Sequence, residues 1–585
     1  MIADTTQKKK RVLTKLIHSG INVTPSILDI IINSDNPGNL LDSIIKEVSF
    51  IPSFNGYLTT EVLRKTSNDK IQNVLKRAIN KGIIKIQEQD ITEKTKQHPE
   101  NSNSNNKITK SEKVSENNVK ASASNSKQVS ATKSERKKEH PKPNIKTTSL
   151  SSSKASLRYN PIAKEFESQY SIKRDPTGKL YTSGDYDDFY ELTLDKFNSL
   201  YNLMKKRPEA GSATNINNIT RLSESAEISI IGIVSAIRQT QKGNYFITIE
   251  DTTGTINAII RKNSSDQDIV RTAEKTIEDQ MVFIKGTYNP GKDNKRGIIF
   301  ADTISRIDIP MGLEPKLANE PVSILLLSDL HIGSREFEEK LWLRLIKFLN
   351  GNLGNSKWRE VAGKIKYIII NGDLVDGIGV YPNQEEDLII PNIYKQYKKA
   401  AELIEKIPEY IKVFYSSGNH EPVRNAIPRP AVPKKYCSDL HEIGVKILGN
   451  PCIIDTHGVD NLVYHGDSLL DLNLTVPGLE HDKPYGSMKE LMICRHLAPT
   501  FGKKTQIAPT SKDWLVIDEV PQIFHTGHLH IYGEGKYRGV EMVNSGCFQE
   551  QTDFMKSLGI QPTPGRVPII ELDSLNNIEL DLKKT

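Results

Sequence analysis

Cysteine is scarce in this sequence, which has four cysteines among 585 residues. None of them belongs to a C-x-x-C pair, so the sequence favours neither a disulfide framework nor a thiolate zinc site. No apolar run approaches the roughly 18 residues that a membrane-spanning helix needs, and the start of the chain lacks the pattern of a secretory leader. We therefore expect a cytoplasmic protein with reduced cysteines. The four are Cys437, Cys452, Cys494 and Cys547.

The chain also lacks a large excess of either charge. The chain has 79 lysines and arginines against 72 aspartates and glutamates, a net charge of +7. Such a balance permits a polyanionic partner but does not establish one, because a basic linker accounts for most of the excess. At 585 residues the chain is long for one domain, so several folded units are expected.

The first third of the chain contains three predicted segments. Residues 1–90 carry apolar clusters at helical spacing and predict a small all-α module, which either docks a partner or only caps the chain. Residues 91–155 are rich in serine, asparagine and lysine and have almost no large apolar side chains, so they predict a disordered linker. Residues 156–215 predict a helical connecting segment.

The rest of the chain predicts two β-containing domains. Residues 216–312 form five short strand patterns with a helical stretch between the third and fourth, which is typical of an OB-type β-barrel. Such barrels often bind single strands, but the aromatic residues Tyr245, Phe246 and Phe283 are equally suited to a core. Residues 320–575 alternate buried strands with amphipathic helices and predict a C-terminal α/β layered domain.

Polar motifs follow five predicted strands of this last domain, at the point where each strand ends. In α/β proteins such ends meet at one edge of a sheet, so we expect these side chains to converge. If the backbone there is extended, the two members of D-x-H and of H-x-H point to the same side. The motifs are "SDLH" with Asp329 and His331, "NGDLVD" with Asp373 and Asp376, "GNHE" with Asn419 and His420, "YHGD" with His465, and "HTGHLH" with His525, His528 and His530.

Imidazoles combined with carboxylates predict a metal centre. This ligand set suits Mn, Fe, Zn or Ni better than calcium or a lone magnesium ion. Two such ions, about 3.5 to 4 Å apart, activate water and clamp a phosphate, so phosphoester hydrolysis is the implied reaction. Each motif alone has an ordinary structural explanation, since D-x-H is often a satisfied loop pair and G-D-x-x-D a common turn. Their order at successive strand ends favours the metal centre.

The ordered motifs resemble those of the calcineurin-like metallophosphoesterase family: D-x-H, G-D-x-x-D, G-N-H-[DE], a later histidine and G-H-x-H. The resemblance implies a metallophosphoesterase domain at residues 320–575 with two divalent ions, Mn first and Fe, Zn, Ni or Mg as alternatives. Asp373 would bridge the ions, and His420 would stabilise the transition state or protonate the leaving oxygen, with Glu421 as its partner. His525 has no role in the pattern and is expected to be structural. The implied ligands are Asp329, His331, Asp373 and His530 for the first ion, and Asp373, Asn419, His465 and His528 for the second.

Further stretches of the sequence resemble the small-subunit family of archaeal family D DNA polymerases. The order of the predicted domains resembles that family as well. They are "YPNQEEDL", "GNHEPVRNAIPRP" and "VNSGCFQEQTDF" followed by "PTPG". The resemblance implies a 3'-to-5' exonuclease that proofreads for a separate large polymerase subunit in a heterodimer. DNA, as a single strand or primer 3' end, would be its substrate, and the sliding clamp a further partner. Two alternatives stay open: a non-catalytic scaffold subunit, as in eukaryotic relatives that have lost ligands, and a stand-alone repair nuclease.

Overall fold

The computed structural model describes residues 159–585, apart from 292–295 and 558, and several stretches between residues 12 and 80. The predicted disordered linker, residues 91–155, lies outside the described residues. The chain divides into two compact units, residues 1–146 and residues 147–585. Among the described residues, none of the helices combines the length and apolar character that crossing a lipid bilayer requires.

The first unit is mainly helical where it is described. Helices begin at Pro25 and Pro37, as expected for proline at the first helical position. A parallel pair of two-residue strands accompanies them, so the predicted all-α module is not confirmed. Leu16, Ile31 and Ile44 are among the buried core residues of this unit. Its described elements are β1 (Asn22–Val23), α1 (Pro25–Ile32), α2 (Pro37–Val48), β2 (Tyr57–Leu58), α3 (Thr60–Arg64) and α4 (Asp69–Asn80).

The second unit begins with a segment that contains a strand as well as helices. Asp185 caps its long helix by accepting a hydrogen bond from the Asp188 backbone, and Leu200 and Met204 are buried on that helix. The strand joins a sheet of the C-terminal domain about 280 residues away in the chain, a pairing that local sequence does not reveal. The elements are β3 (Tyr170–Arg174), α5 (Tyr186–Lys205) and α6 (Ile216–Thr220), with 3₁₀ turns at Ile162–Glu165 and Pro208–Ala210.

A closed five-stranded barrel follows, as the sequence predicts. The helix between its third and fourth strands is also present, and Ile230, Val234 and Ile247 fill the interior. Of the three aromatic residues noted above, Phe283 is 1% exposed and belongs to a core, whereas Phe246 is half-buried beneath the Arg238 guanidinium. The elements are β4 (Ala226–Gln239), β5 (Tyr245–Asp251), β6 (Gly254–Ile260), α7 (Gln267–Glu274), β7 (Met281–Asn289) and β8 (Ile298–Arg306), in the spatial order β4-β5-β6-β8-β7.

The C-terminal domain contains two six-stranded sheets. Its strands are β9 (Ser323–Leu327), β10 (Ile365–Asn371), β11 (Lys412–Ser416), β12 (Lys446–Leu448), β13 (Cys452–Thr456), β14 (Val459–Val463), β15 (Ile523–Thr526), β16 (Gly533–Tyr537), β17 (Val540–Asn544), β18 (Arg566–Glu571) and β19 (Asn576–Asp581). Its helices are α8 (Glu339–Leu349), α9 (Ser356–Lys364), α10 (Ile393–Ile404), α11 (Lys434–Glu442), α12 (Leu469–Thr475), α13 (Pro484–Cys494) and α14 (Asp553–Ser557), with a 3₁₀ turn at Gln384–Asp387.

The two sheets pack against each other, and helices cover their outer faces. Along β9, Ile324 and Leu326 join a core shared with the second sheet, whereas Leu325 and Leu327 face a core that contains Trp342 of α8. The alternation follows from the two-residue period of a strand, and burial on both faces explains its continuous apolar sequence. The first sheet has the order β12-β11-β10-β9-β18-β19, and the second has the order β16-β17-β15-β14-β13-β3.

The strand ends that carry the polar motifs lie side by side. In the first sheet, β9, β10 and β11 are parallel neighbours that end at Leu327, Asn371 and Ser416. In the second sheet, β14 and β15 are parallel neighbours that end at Val463 and Thr526. The five motifs therefore leave the two packed sheets at adjoining edges, which is what brings their side chains together.

Candidate metal centre

Five of the seven predicted metal ligands have a left-handed backbone. Their φ angles lie between 50° and 67°. A non-glycine residue in this region is strained by about 1 to 3 kcal/mol, and such strain gathers where a side chain must be aimed. The backbone of the D-x-H and H-x-H pairs is therefore not extended as predicted, although both pairs still reach the centre. The five residues are Asp329, His331, Asp373, His528 and His530.

The first cluster consists of Asp329, His331 and His530, all buried. The Nε2 atom of His530 lies 3.4 Å from Asp329 Oδ1 and 3.0 Å from His331 Nε2. The carboxylate and the two imidazoles thus bring three potential metal-ligating atoms close together.

The second cluster consists of Asp373, His465 and His528, with Asn419 beside it. The Nε2 atom of His465 lies 3.3 Å from Asp373 Oδ2 and 3.0 Å from Asn419 Oδ1. Asp373 Oδ2 is also 3.9 Å from Nε2 of His331 in the first cluster. Asp373 therefore lies between the clusters, and all seven predicted ligands are brought together. His528 and His530 belong to different clusters although one residue separates them.

The tautomers of the histidines fit a cation at each cluster. The Nδ1–H group of His465 donates to the carbonyl oxygen of Asn371 at 3.0 Å, so a proton or a metal ion must lie between its Nε2 atom and the acceptor oxygens of Asn419 and Asp373. In the first cluster, Nδ1 of His331 donates to Asp376 at 2.9 Å and its Nε2 faces another imidazole nitrogen. Lone pairs that face acceptors need a positive charge between them. The donor set therefore fits divalent ions.

The electrostatics of the buried groups support the same conclusion. Burial lowers the pKa of His331, and it lowers the pKa of His528 to about 4, so both imidazoles are neutral at pH 7 and have a lone pair for a metal. Burial opposes charge on Asp329 and His465 as well, but neighbouring groups outweigh it: His530 lowers the pKa of Asp329 to about 2, and Asp373 raises the pKa of His465 to about 10. The buried carboxylates thus draw positive charge towards them, which a divalent ion supplies without a proton.

Three glycines make room for these side chains. Gly372 has a φ of 80°, the only left-handed one of the three, and it supports the turn before Asp373. Gly418 and Gly527 are needed for a different reason, because a Cβ atom at Gly418 would overlap Asp373 Oδ1 and one at Gly527 would overlap Asp329 Oδ2. Backbone conformation therefore requires glycine only at position 372, whereas the space taken by neighbouring atoms requires it at 418 and 527.

We expect Gly418→Ala to displace Asp373 and to lower the metal content of the folded chain by at least one ion, because the added methyl group and the carboxylate cannot occupy the same space. Elemental analysis of purified protein measures the content, and circular dichroism checks the fold. Gly254→Ala is the matched control, since its Cβ meets Ile216 at an ordinary 3.7 Å. Equal metal content in both variants would contradict this account of Gly418.

Sequence reasoning placed Asp376 near the centre but gave no role to it or to Gln549, and both hold side chains of the centre in place. Asp376 accepts from His331 Nδ1 and, through its carbonyl oxygen, from His420 Nδ1 at 2.6 Å. Gln549 Nε2 donates to the same Asp376 carboxylate at 3.2 Å. The available signal for Asp376 was its place as the last residue of the G-D-x-x-D motif. Its partner His331, however, is 45 residues away in the chain.

Glu421 has a different partner from the predicted one. Its carboxylate accepts hydrogen bonds from the backbone N–H groups of Asp373 at 3.0 Å and Leu374 at 2.9 Å, so it fixes the turn that carries Asp373. The structure shows no hydrogen bond between Glu421 and His420 among the described residues. Burial raises the pKa of Glu421 to about 7.

The two remaining histidines of the motifs are not predicted ligands, although His420 forms a third group of potential metal-ligating atoms with His331 and Asp376. His420 is anchored by its backbone N–H, which donates to Asp373 Oδ1 at 2.9 Å, and its ring packs edge-on against His331. Its Nδ1–H donates to the carbonyl of Asp376, which leaves Nε2, 3.9 Å from Asp373 Oδ2, available for proton transfer. His525 is part of β15, with Nε2 3.0 Å from the Ser545 hydroxyl, and belongs to none of the clusters found among the described residues.

A cleft of about 350 Å³ opens beside the clusters. Polar groups of the centre form part of its lining, and apolar side chains form much of the rest. We call it the cleft from here on. Its lining includes His331, Asp373, Asn419, His420, His528, His530, Leu470, Lys504, Leu529, Met555 and Ile560.

Known proteins are similar to this one both in its C-terminal domain and over most of its length. Residues 322–532 match the calcineurin-like phosphoesterase family. The chain is 40% identical over 394 residues to the DNA polymerase II small subunit of Pyrococcus abyssi, covering 67% of this chain and 62% of that protein. It therefore spans less than two thirds of that relative's length.

Two further relatives are covered more fully. The DNA polymerase II small subunit of Pyrococcus horikoshii is 38% identical, with 72% of this chain and 68% of that protein aligned. The DNA polymerase II small subunit of Methanocaldococcus jannaschii is 39% identical, with 70% of this chain and 68% of that protein aligned. A calcineurin-like phosphoesterase domain and this degree of identity confirm the resemblance inferred from the motifs: the chain belongs to the DNA polymerase II small subunit family.

Proposed function

We propose that this chain is the proofreading 3'-to-5' exonuclease and accessory small subunit of a heterodimeric replicative DNA polymerase. Its partner would be the large catalytic subunit, its substrate the primer 3' end or a single strand, and the sliding clamp a further contact. The single observation that supports the catalytic part is the proximity of two clusters of potential ligands, with Asp373 in one of them and 3.9 Å from His331 of the other. The names of the relatives support the accessory role.

In this proposal each cluster holds one divalent ion, Mn being the first candidate. Asp329, His331, Asp373 and His530 would hold one ion. Asp373, Asn419, His465 and His528 would hold the other. When bound, the ions supply Lewis-acid polarisation of the phosphodiester and lower the pKa of the attacking water.

His420 supplies the proton in the proposed reaction. Water adds to phosphorus, the bond between phosphorus and the 3' oxygen breaks, and that oxygen needs a proton to leave as a hydroxyl group. The carbonyl of Asp376 holds the Nδ1–H group of His420, so a proton carried on Nε2 is the one that can be transferred. The backbone bond from His420 to Asp373 keeps the ring at a fixed distance from the centre.

The experiment that tests this function compares end labels. We expect the whole chain with Mn to release a labelled mononucleotide at once from a 3'-labelled single strand, and to shorten a 5'-labelled strand step by step. Chelation of the metal with EDTA should stop both, and added Mn should restore them. Release of label first from the 5' end, or cleavage that EDTA does not affect, would contradict the proposal.

The two alternative functions, a scaffold subunit and a stand-alone nuclease, predict different results when the same purified protein is assayed. A scaffold subunit would bind the large subunit but release no nucleotide with Mn, alone or in the complex. A stand-alone nuclease would release nucleotide but bind no large subunit when the two are mixed and separated by size. The retained ligands argue against the scaffold.

A further inference from the structure

A row of four side chains crosses the outer face of the five-stranded barrel. The strand register pairs Arg238 of β4 with Phe246 of β5, Phe246 with Ile259 of β6, and Ile259 with Phe300 of β8. Paired residues lie on the same face of a sheet, and the next residue of β5, Ile247, belongs to the interior core. The row therefore faces outwards, with Arg238 exposed and the three apolar side chains half-buried. We call these four residues the barrel row.

Each phenyl ring of the barrel row has an arginine beside it. The guanidinium carbon of Arg238 lies 4.6 Å from the centroid of the Phe246 ring, and that of Arg261 lies 5.2 Å from the centroid of the Phe300 ring. Neither arginine forms a salt bridge with any residue that the structure describes. Each pair therefore presents a flat apolar ring together with a positive charge that no carboxylate neutralises.

Further positive charge surrounds the barrel row. The stretches 236–249, 254–263 and 296–301 contain five lysines and arginines and no aspartate or glutamate. The nearest acidic residues along β5 and β8 are Glu250 and Asp302. This part of the barrel surface is therefore positive on balance and attracts a polyanion. The five cationic residues, all exposed, are Arg238, Lys242, Arg261, Lys262 and Arg296.

A groove of about 610 Å³ lies next to the barrel row. Thr248 and Asn257 form part of its wall, and they are paired across β5 and β6 two residues from Phe246 and Ile259. Arg296 is the only charged side chain among the described residues that line the groove. The groove volume is within the range of ligand sites, about 300 to 1,000 Å³. None of the residues of the row or of the groove lines the cleft, so this surface is a separate one.

We propose that the barrel row and the adjoining groove bind single-stranded DNA, with bases stacked on Phe246 and Phe300 and phosphates beside the neighbouring arginines. Phenyl rings stack with any base and cations follow the phosphate backbone, so the binding does not depend on sequence. A duplex hides the faces of its bases, so an unpaired strand is the form that fits. The choice of DNA over RNA rests on the function proposed above, whereas the preference for a single strand rests on the surface itself.

The proposal is tested by binding of a fluorescent oligothymidylate to the whole chain in EDTA, where no hydrolysis occurs. Fluorescence anisotropy is measured over a range of salt concentrations. Phe246→Ala should weaken binding about tenfold, the size of effect expected when one base loses its stacking partner. Arg238→Gln should reduce the slope of log K against log salt by about 0.7, the value for one phosphate contact on a single strand.

Two variants outside the barrel row serve as matched controls. Phe189→Ala removes an exposed ring from α5, and Arg271→Gln removes an exposed charge from α7 of the same barrel. Both should bind the oligothymidylate as the wild-type chain does, and circular dichroism should show the same fold for all four variants. Unchanged binding in Phe246→Ala and Arg238→Gln, or equal losses in the controls, would overturn the proposal. Equal affinity of the wild-type chain for a duplex of the same length would overturn it as well.

The place of binding is tested by photocrosslinking. An oligonucleotide that contains 5-iododeoxyuridine is irradiated with the whole chain, and mass spectrometry identifies the crosslinked peptides. We expect crosslinks in peptides that contain Phe246 or Phe300. Crosslinks confined to the C-terminal domain would overturn the proposal. If the variants of the barrel row bind DNA normally but fail to bind the large subunit, the surface serves a protein partner and the proposal is wrong.

Failure of this proposal is distinguishable from failure of the proposed exonuclease function. The binding assay needs no metal and no hydrolysis, so a chain that binds as expected but releases no nucleotide with Mn would refute the exonuclease and leave the binding surface standing. A chain that releases nucleotide but binds equally well after Phe246→Ala and Arg238→Gln would give the opposite result. Tighter binding of an oligouridylate than of the oligothymidylate would overturn the choice of DNA.

Discussion

Asp373→Asn should abolish nucleotide release and leave the chain with at most one bound metal ion. Asp373 is the carboxylate that reaches both clusters, with Oδ2 3.3 Å from His465 Nε2 and 3.9 Å from His331 Nε2. An amide keeps the shape but loses the charge, and a neutral oxygen is a poor bridge between two dications. Loss of one ion removes several kcal/mol of transition-state stabilisation, so the rate should fall by at least about 10³-fold.

The measurement pairs elemental analysis with the rate of mononucleotide release from a 3'-labelled strand. Asp187→Asn is the matched control, since Asp187 is exposed on α5 and lies outside the C-terminal domain. Circular dichroism should show the same fold for both variants, because Asn is close to Asp in size. Two ions per chain and a normal rate in Asp373→Asn would show that this residue does not bridge a metal centre.

His420→Ala should lower the turnover rate by about 10² to 10⁴-fold while both ions stay bound, the range expected for loss of a general acid. The ring of His420 is held by the Asp376 carbonyl and is not one of the predicted ligands, so its removal leaves both sets of ligating atoms intact. His441→Ala, at an exposed position of α11, is the matched control.

A second substrate distinguishes two possible roles of His420, that of a proton donor and that of a residue that only shapes the centre. The p-nitrophenyl ester of thymidine monophosphate releases an oxygen that needs no proton. The loss in His420→Ala should therefore be much smaller with this ester than with DNA. An equal loss on both substrates would contradict the role of His420 in protonating the leaving oxygen.

The sequence predicted that the polar motifs lie close together because each motif is a short local pattern at the end of a strand. Each motif follows a buried strand, and parallel strands bring their ends to one edge, so the convergence of the motifs was predictable. The choice of seven ligands among their residues came from the resemblance to the calcineurin-like family. The closed barrel and the α/β layers of the C-terminal domain were predictable from the period and length of the apolar runs, whereas the phosphoesterase assignment came from the resemblance of the ordered motifs to a known family. The domain boundaries and the metal-binding roles stay predictions.

Long-range contacts could not be read from the sequence in the same way. The strand β3 pairs with β13 far along the chain, and a segment predicted as a helical connector gave no sign of it. Glu421 sits in the G-N-H-E motif, but its hydrogen bonds go to the backbone of residues 373 and 374, 48 and 47 positions away. These partners depend on how two sheets meet, which no local pattern records.

Backbone conformation was the other limit. Extended geometry was the natural expectation after a strand, yet Asp329, His331 and His530 turn to positive φ beyond the strand ends. Side chains that converge on one cluster from adjoining turns require this strain, which intrinsic residue preferences oppose. The sequence therefore indicated which residues form the first cluster, but not the backbone conformation that brings them together.

The central claim is that the two clusters form a working phosphodiesterase centre. The most direct test is the rate at which the whole chain with Mn releases a mononucleotide from a 3'-labelled single strand, measured side by side with Asp373→Asn. The account predicts rapid release by the wild-type chain and a rate at least about 10³-fold lower in the variant. Equal slow release by both, with two metal ions bound to the wild-type chain, would contradict it.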